Sequence, residues 1–182
     1  MSRIALVIGH NARAQGAVRV TDGRTEYDWC GLLAAMVMAL DPARYVILRR
    51  PTGLTYSGEI RAAYDAVNAS GAVASIELHF NGAAAETATG TETLSSGTQG
   101  SMRLASLIQP RMVRALGLRD RGVKIIKRAD RGGESLWAGR PPAVLIEPYF
   151  GSRRQDCIAA DAAMAQLAGA IHDACSAFIQ GK

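Results

Sequence analysis

Cysteine is scarce and scattered in this chain. Cys30, Cys157 and Cys175 are the three among 182 residues, and no C-x-x-C pair joins them. An odd count without metal spacing argues against a disulfide framework or a thiolate zinc site. The three read as reduced, buried, small hydrophobes. Long apolar runs are missing too. No stretch of about 18 apolar residues exists, which leaves no membrane-spanning helix. The opening "MSRIALVIGHNARAQG" carries one arginine and six apolar residues before a polar break. That is too short for a secretory signal and lacks a small-residue cleavage site, so a first strand is the better reading, with synthesis in the cytoplasm. Neither G-x-G-x-x-G, nor a Walker sequence, nor H-E-x-x-H occurs. There is no long linker, repeat or charge block, and 182 residues suit one domain, 1–182, with a core of ordinary size.

What the chain has is apolar content of 48% and a formal charge of +5 with a pI near 9.4. Much of the basic excess falls between Arg103 and Arg131. The stretch lacks aromatic stacking residues and matches no nucleic-acid module, so it reads as a solvated face. It would draw the protein to an anionic envelope rather than to nucleic acid.

Apolar strands alternate with amphipathic helices. "RIALVI" (3–8), "RYVILRR" (44–50), "VASIELHF" (73–80), "GTETLSS" (90–96), "GVKIIK" (122–127) and "PAVLIEPYF" (142–150) read as strands. The fourth of these, alternating in character, is expected half-buried or near an edge. Helices are expected at 25–40, capped by Thr25; at 56–70, capped by Ser57; at 100–118, kinked at Pro110; and as one piece from about 152 to 179. The class is α/β: a single-domain, mostly parallel twisted sheet of about six strands with helices on both faces. Residues 11–24 and 128–141 are left as loops of a length that is usually functional.

In such sheets, ligands bind beyond the carboxyl ends of the strands. The first strand ends at Gly9-His10-Asn11, the third at His79-Phe80-Asn81 and the last at Glu147-Pro148, while Glu26 opens the first helix. Two histidines and two carboxylates could therefore converge on one edge. Two His and one carboxylate form a catalytic zinc set, and a remaining carboxylate suits a general base. A histidine at a strand end also suits a purely structural hydrogen bond. His172, in the last helix, is read as surface or boundary.

These pieces, in this order, resemble the zinc-dependent N-acetylmuramoyl-L-alanine amidases. "ALVIGHNARAQGAV" is similar to that family's opening strand and Gly-His motif, and Glu26 in "RTEYDW" falls where the family places a glutamate ligand. "ELHFNG" resembles its histidine-ending strand, "GTETLSS" the next strand, "LRDRGVK" its Arg-Gly-Val-Lys turn and "PAVLIEPYFGS" its last strand. The resemblance implies Zn2+ held by His10, Glu26 and His79. It implies Glu147 as the catalytic acid/base, and cleavage of the amide between N-acetylmuramic acid and L-alanine in peptidoglycan. Three positions depart from the pattern. Val7-Ile8 stand where an acidic residue is common, Asn11 where glycine is usual, and Glu77 where serine is common.

Glu77 shares strand parity with His79, so it either orients that ligand or forms a salt bridge on the sheet face. Asn81 is a donor near the metal edge or a turn residue. Trp137 and Arg140 could contact substrate from the loop before the last strand. Of the arginines in the first loop, Arg13 could meet stem carboxylates and Arg19 is read as solvated. The bare catalytic unit resembles a phage or prophage endolysin that acts on the wall after release by another factor, as a monomer. The alternatives are another zinc peptidase of the stem peptide and a non-catalytic wall-binding or virion protein on the same fold.

Overall fold

A computed structural model describes residues 2–85 and 87–181. Its element order is β1 (Arg3–Ile8), α1 (Glu26–Leu40), β2 (Tyr45–Arg49), α2 (Tyr56–Ala69), β3 (Ala72–Leu78), β4 (Thr91–Ser95), α3 (Gln99–Leu116), β5 (Asp120–Ile125), α4 (Gly133–Ala138), β6 (Ala143–Glu147), α5 (Arg154–Ala162) and α6 (Met164–Ile179). The six strands make one sheet in the order β2-β1-β3-β6-β4-β5. Neighbours pair in parallel except β4 and β6, which run antiparallel. The expected α/β architecture is the one observed. No helix among the described residues is long and apolar enough to cross a membrane.

Strand parity explains the two-sided core. In β1, Ile4, Leu6 and Ile8 join a cluster with Trp29, Leu33 and Val37 of α1, Leu104 and Ile108 of α3 and Leu167 and Ile171 of α6. Ala5 and Val7 point the other way, into Ile60, Tyr64 and Val67 of α2 and Leu136 of α4. A strand covered on both faces has no polar side to offer, so its sequence runs apolar without alternation. Each fully buried aliphatic side chain here contributes roughly 1.5–3 kcal/mol. The three cysteines are free and buried, packing as small apolar groups.

Several boundaries differ from the sequence reading, each for a local reason. The cap of α2 is Thr55, whose hydroxyl accepts from the Gly58 amide, while Ser57 donates to Glu134. Helix α3 includes Pro110, as expected, at an exposed position about three turns from its start. The final helix is two: Ala163 leaves helical geometry at φ −109 and ψ 13, separating α5 from α6. Loop 128–141 contains the short helix α4. Strand β4 lies one place inside the edge, sheltered by β5, and is largely buried.

Candidate active site

Because β1, β3 and β6 are parallel and adjacent, their carboxyl ends open on the same edge of the sheet. That edge carries a cavity of about 560 Å³ lined by His10, Glu26, His79, Asn81, Glu92 and Glu147, with Arg50, Tyr56 and Arg131 also on its walls. His10 follows β1 with a φ of 65, the one non-glycine residue in the left-handed region among those described. Such a conformation costs about 1 kcal/mol or more and persists where neighbours impose it. The neighbour is Asn11: its Oδ1 accepts the amides of Arg13 and Ala14 at 2.8 and 2.9 Å, and its Nδ2 donates to Glu59 at 2.6 Å. This buried turn bends the chain away from the sheet immediately after the imidazole.

Glu26 is the first residue of α1, capped by Thr25 as the sequence suggested. It reaches the same place from the helix side because loop 11–24 folds back over the sheet edge. Arg19 secures that loop. The expectation of a solvated side chain fails: Arg19 is 1% exposed and donates to Asp161 at 2.5 Å, to Asp22 and to the Cys157 carbonyl. Val18 bridges Thr25, and the Val20 amide donates to the Gly151 carbonyl.

His10, Glu26 and His79 meet. One ligand atom from each lies within 4.8 Å of the others, a group that could hold a metal ion. The Glu26 carboxylate spans the two rings, with Oε2 at 3.1 Å from His10 Nε2 and Oε1 at 2.5 Å from His79 Nδ1. The rings stand edge to face, 5.0 Å apart. Two glycines make the room. A Cβ on Gly9 would lie 2.3 Å from the His79 ring. One on Gly16, whose φ is +80, would lie 2.6 Å from both Glu26 and His10. Two imidazoles and a carboxylate form a borderline donor set of the type zinc takes in hydrolytic sites, with a fourth position free. The donor chemistry and the glycine cradle both fit such an ion.

The charges on this side sustain one another. Burial pushes the Glu26 carboxyl up, but hydrogen bonds from His10 and His79 outweigh it and bring it down to about 2. Burial pulls His79 down, and its bonds to Glu26 and Glu77 raise it to about 10. Glu77 is fully buried; desolvation opposes its ionisation, and the Arg50 guanidinium beside it drives the carboxyl well below its ordinary range.

Glu147 behaves oppositely. It ends β6, half-buried on the cavity wall, and its Oε2 is out of contact with solvent and without a hydrogen-bond partner among the described residues. Burial pushes its carboxyl up to about 8; His79 pulls against this, and Glu26 and Glu92 add to it. Glu92 is a wall residue that strand reading missed. The antiparallel register places Glu92 directly opposite Glu147. There it accepts from Asn81 Nδ2 and from Arg121 Nε, each at 2.7 Å. Asn81 is therefore spoken for by Glu92 rather than by the triad. Arg140 is exposed, its amide donating to Asn68, and lies outside the cavity lining; Trp137 is 42% exposed. The unexpected cations on the wall are Arg50 and Arg131. His172 sits away from the edge, its Nδ1 3.0 Å from the Tyr45 hydroxyl.

The sequence matches the N-acetylmuramoyl-L-alanine amidase family over residues 4–177. The chain belongs to that family. Solved amidase folds overlay on nearly all of it. The catalytic domain of the CwlV amidase from Bacillus (Paenibacillus) polymyxa is 19% identical with a TM-score of 0.82, covering 99% of each chain. An N-acetylmuramoyl-L-alanine amidase from Clostridium difficile 630 is 23% identical with a TM-score of 0.83, covering 100% of this chain and 98% of that one. The catalytic domain of an endolysin targeting Clostridia difficile is 23% identical with a TM-score of 0.77, covering 100% and 98%. No curated protein matches the sequence. The carboxylate-rich cavity at the carboxyl ends of the parallel strands is the candidate active site.

Proposed function

We propose that this amidase is zinc-dependent and hydrolyses the bond between the lactyl group of N-acetylmuramic acid and the L-alanine of the stem peptide. In this reading His10, Glu26 and His79 hold the ion and Glu147 moves the proton. The single observation that carries it is the pairing of a preassembled His-Glu-His cluster with a second, separately buried carboxylate in one cavity. Zinc bound there supplies Lewis-acid polarisation of the scissile carbonyl and acidifies a water.

The chain supplies the rest. Glu26, held low by both histidines, stays anionic and serves only as a ligand. Glu147 lines the same cavity, which places its carboxylate to take a proton from a water held there. As water oxygen bonds to the carbonyl carbon, Glu147 takes its proton. As the carbon–nitrogen bond breaks, Glu147 returns that proton to the departing amine of L-alanine, and the lactyl carboxylic acid so formed loses the water's other proton to give the carboxylate and an ammonium terminus. Burial raises the Glu147 carboxyl above its ordinary range, the direction a group that both takes and returns a proton needs.

The further reading is of an endolysin-type enzyme whose residues 1–182 form a catalytic domain, acting on the wall as a monomer. Support comes from the likeness to an endolysin catalytic domain and from the charge of +5, which favours an anionic envelope. The test is mass spectrometry of fragments released from purified peptidoglycan, with and without a chelator. Intact stem peptides with free L-alanine amino termini, lost on chelation and restored by zinc, are expected. Cuts within the stem, or chelator-insensitive release, would overturn the reading.

A further inference from the structure

The imidazole of His79 lies between two carboxylates, with Nδ1 2.5 Å from Glu26 and Nε2 3.1 Å from Glu77. A neutral imidazole carries one N–H and one lone pair, and only the lone pair can ligate. The ring alone does not decide which nitrogen does which; its surroundings do.

Glu77 is completely buried on β3, two residues before His79 and on the same face. Its Oε1 accepts from Arg50, and its Oε2 accepts from the Tyr64 hydroxyl at 2.8 Å. Arg50 is itself buried, and it also donates to Ser135 of α4 at 3.1 Å. A carboxylate against a buried guanidinium is anionic and can only accept. Glu26 is anionic as well, but it shares the candidate cation site with Nδ1, so with an ion bound Nδ1 must offer its lone pair there and the hydrogen falls to Nε2, which faces Glu77. The Cε1–Nε2 edge of the ring packs where Gly9 lacks a Cβ.

We propose that Glu77 is a positioning residue that fixes His79 as the Nε2–H tautomer, aiming the Nδ1 lone pair at the cation site, with Arg50 and Tyr64 holding Glu77 to that task. The proposal rests on the zinc reading above. It also accounts for the departure at this position, where serine is common. A buried negative charge needs a buried positive one, so Glu77 and Arg50 stand together or not at all. An ion pair that only tied the sheet to α4 would have no need of a third contact on the imidazole.

The zinc-loaded protein, labelled with 15N-histidine, is read by long-range proton–nitrogen correlation. His79 is expected to show a protonated Nε2 and a metal-bound Nδ1; the opposite tautomer would overturn the proposal without any variant being made. In parallel, zinc affinity is measured by competition with a chromophoric chelator. Glu77→Gln is expected to weaken binding about tenfold or more while the far-ultraviolet spectrum is kept. Tyr64→Phe is expected to weaken it less. Affinity of Glu77→Gln within twofold of the parent would overturn the proposal alone. Failure of the parent to bind zinc in the same assay would overturn the zinc reading and this proposal with it.

Discussion

The two walls of the cavity use the same residue for opposite ends. On the β1–β3 side, Glu26 and Glu77 face imidazoles and a guanidinium, and their carboxyls are held low. On the β6–β4 side, Glu147 faces Glu92 and apolar Leu145 and Leu94, and its carboxyl is pushed up. All three are substantially buried, so burial does not separate them; the charge of the neighbour does. A fold can thus keep one glutamate as a permanent anion and another as a proton carrier by choosing what stands beside each. Strand direction makes the choice here. Parallel β1 and β3 deliver histidines to the edge, whereas antiparallel β4 delivers a second acid opposite Glu147.

The sharpest way to break the contrast is Glu147→Gln. If Glu147 is the proton carrier proposed above, hydrolysis of wall sacculi should fall by about 10³-fold or more with the triad intact, within the range of general acid–base catalysis. Zinc content by elemental analysis should match the parent. Retained turnover would show that the two walls are not divided in this way.

A smaller effect appears in stability. With zinc removed, the raised Glu147 carboxyl makes the native state hold a proton that the unfolded chain releases. The unfolded state then binds fewer protons, so the parent loses stability as pH rises from 4.5 to about 8. Glutamine cannot titrate. Metal-free Glu147→Gln should therefore melt with the parent below pH 4.5 and above it by pH 8, the gap reaching a few kcal/mol. Denaturant titrations across that range test it; a gap that widens toward acid would contradict the assignment.

The smallest shift belongs to Glu92→Gln. It removes one of the charges that raise Glu147, so the rising acid limb of the pH–activity profile should move to lower pH. An unmoved limb would mean that Glu92 serves Asn81 and Arg121 alone.

How much of this could be read from residues alone depends on how far apart the partners are in the chain. His10 and His79 are legible because each ends an apolar run, and the run fixes both strand and edge. Glu26 is harder: only the fold-back of loop 11–24 brings it home, and no periodicity encodes that. Glu92 was missed because sequence alternation gives parity but not direction, and the reversal of β4 decides which of its ends meets the site. Arg19 reads as solvated in the sequence because its partner Asp161 lies 142 residues away. The break at Ala163 has no glycine or proline to announce it; the segment is built of good helix formers, and tertiary packing overrides them.

The loop between β1 and α1 is fastened to α2 through Asn11, to α5 and its surroundings through Arg19, and to the turn after β6 through Val20. Those ties are made of protein alone. Convergence of His10, Glu26 and His79 is thus upheld by ties within the chain itself, spread over three separate elements.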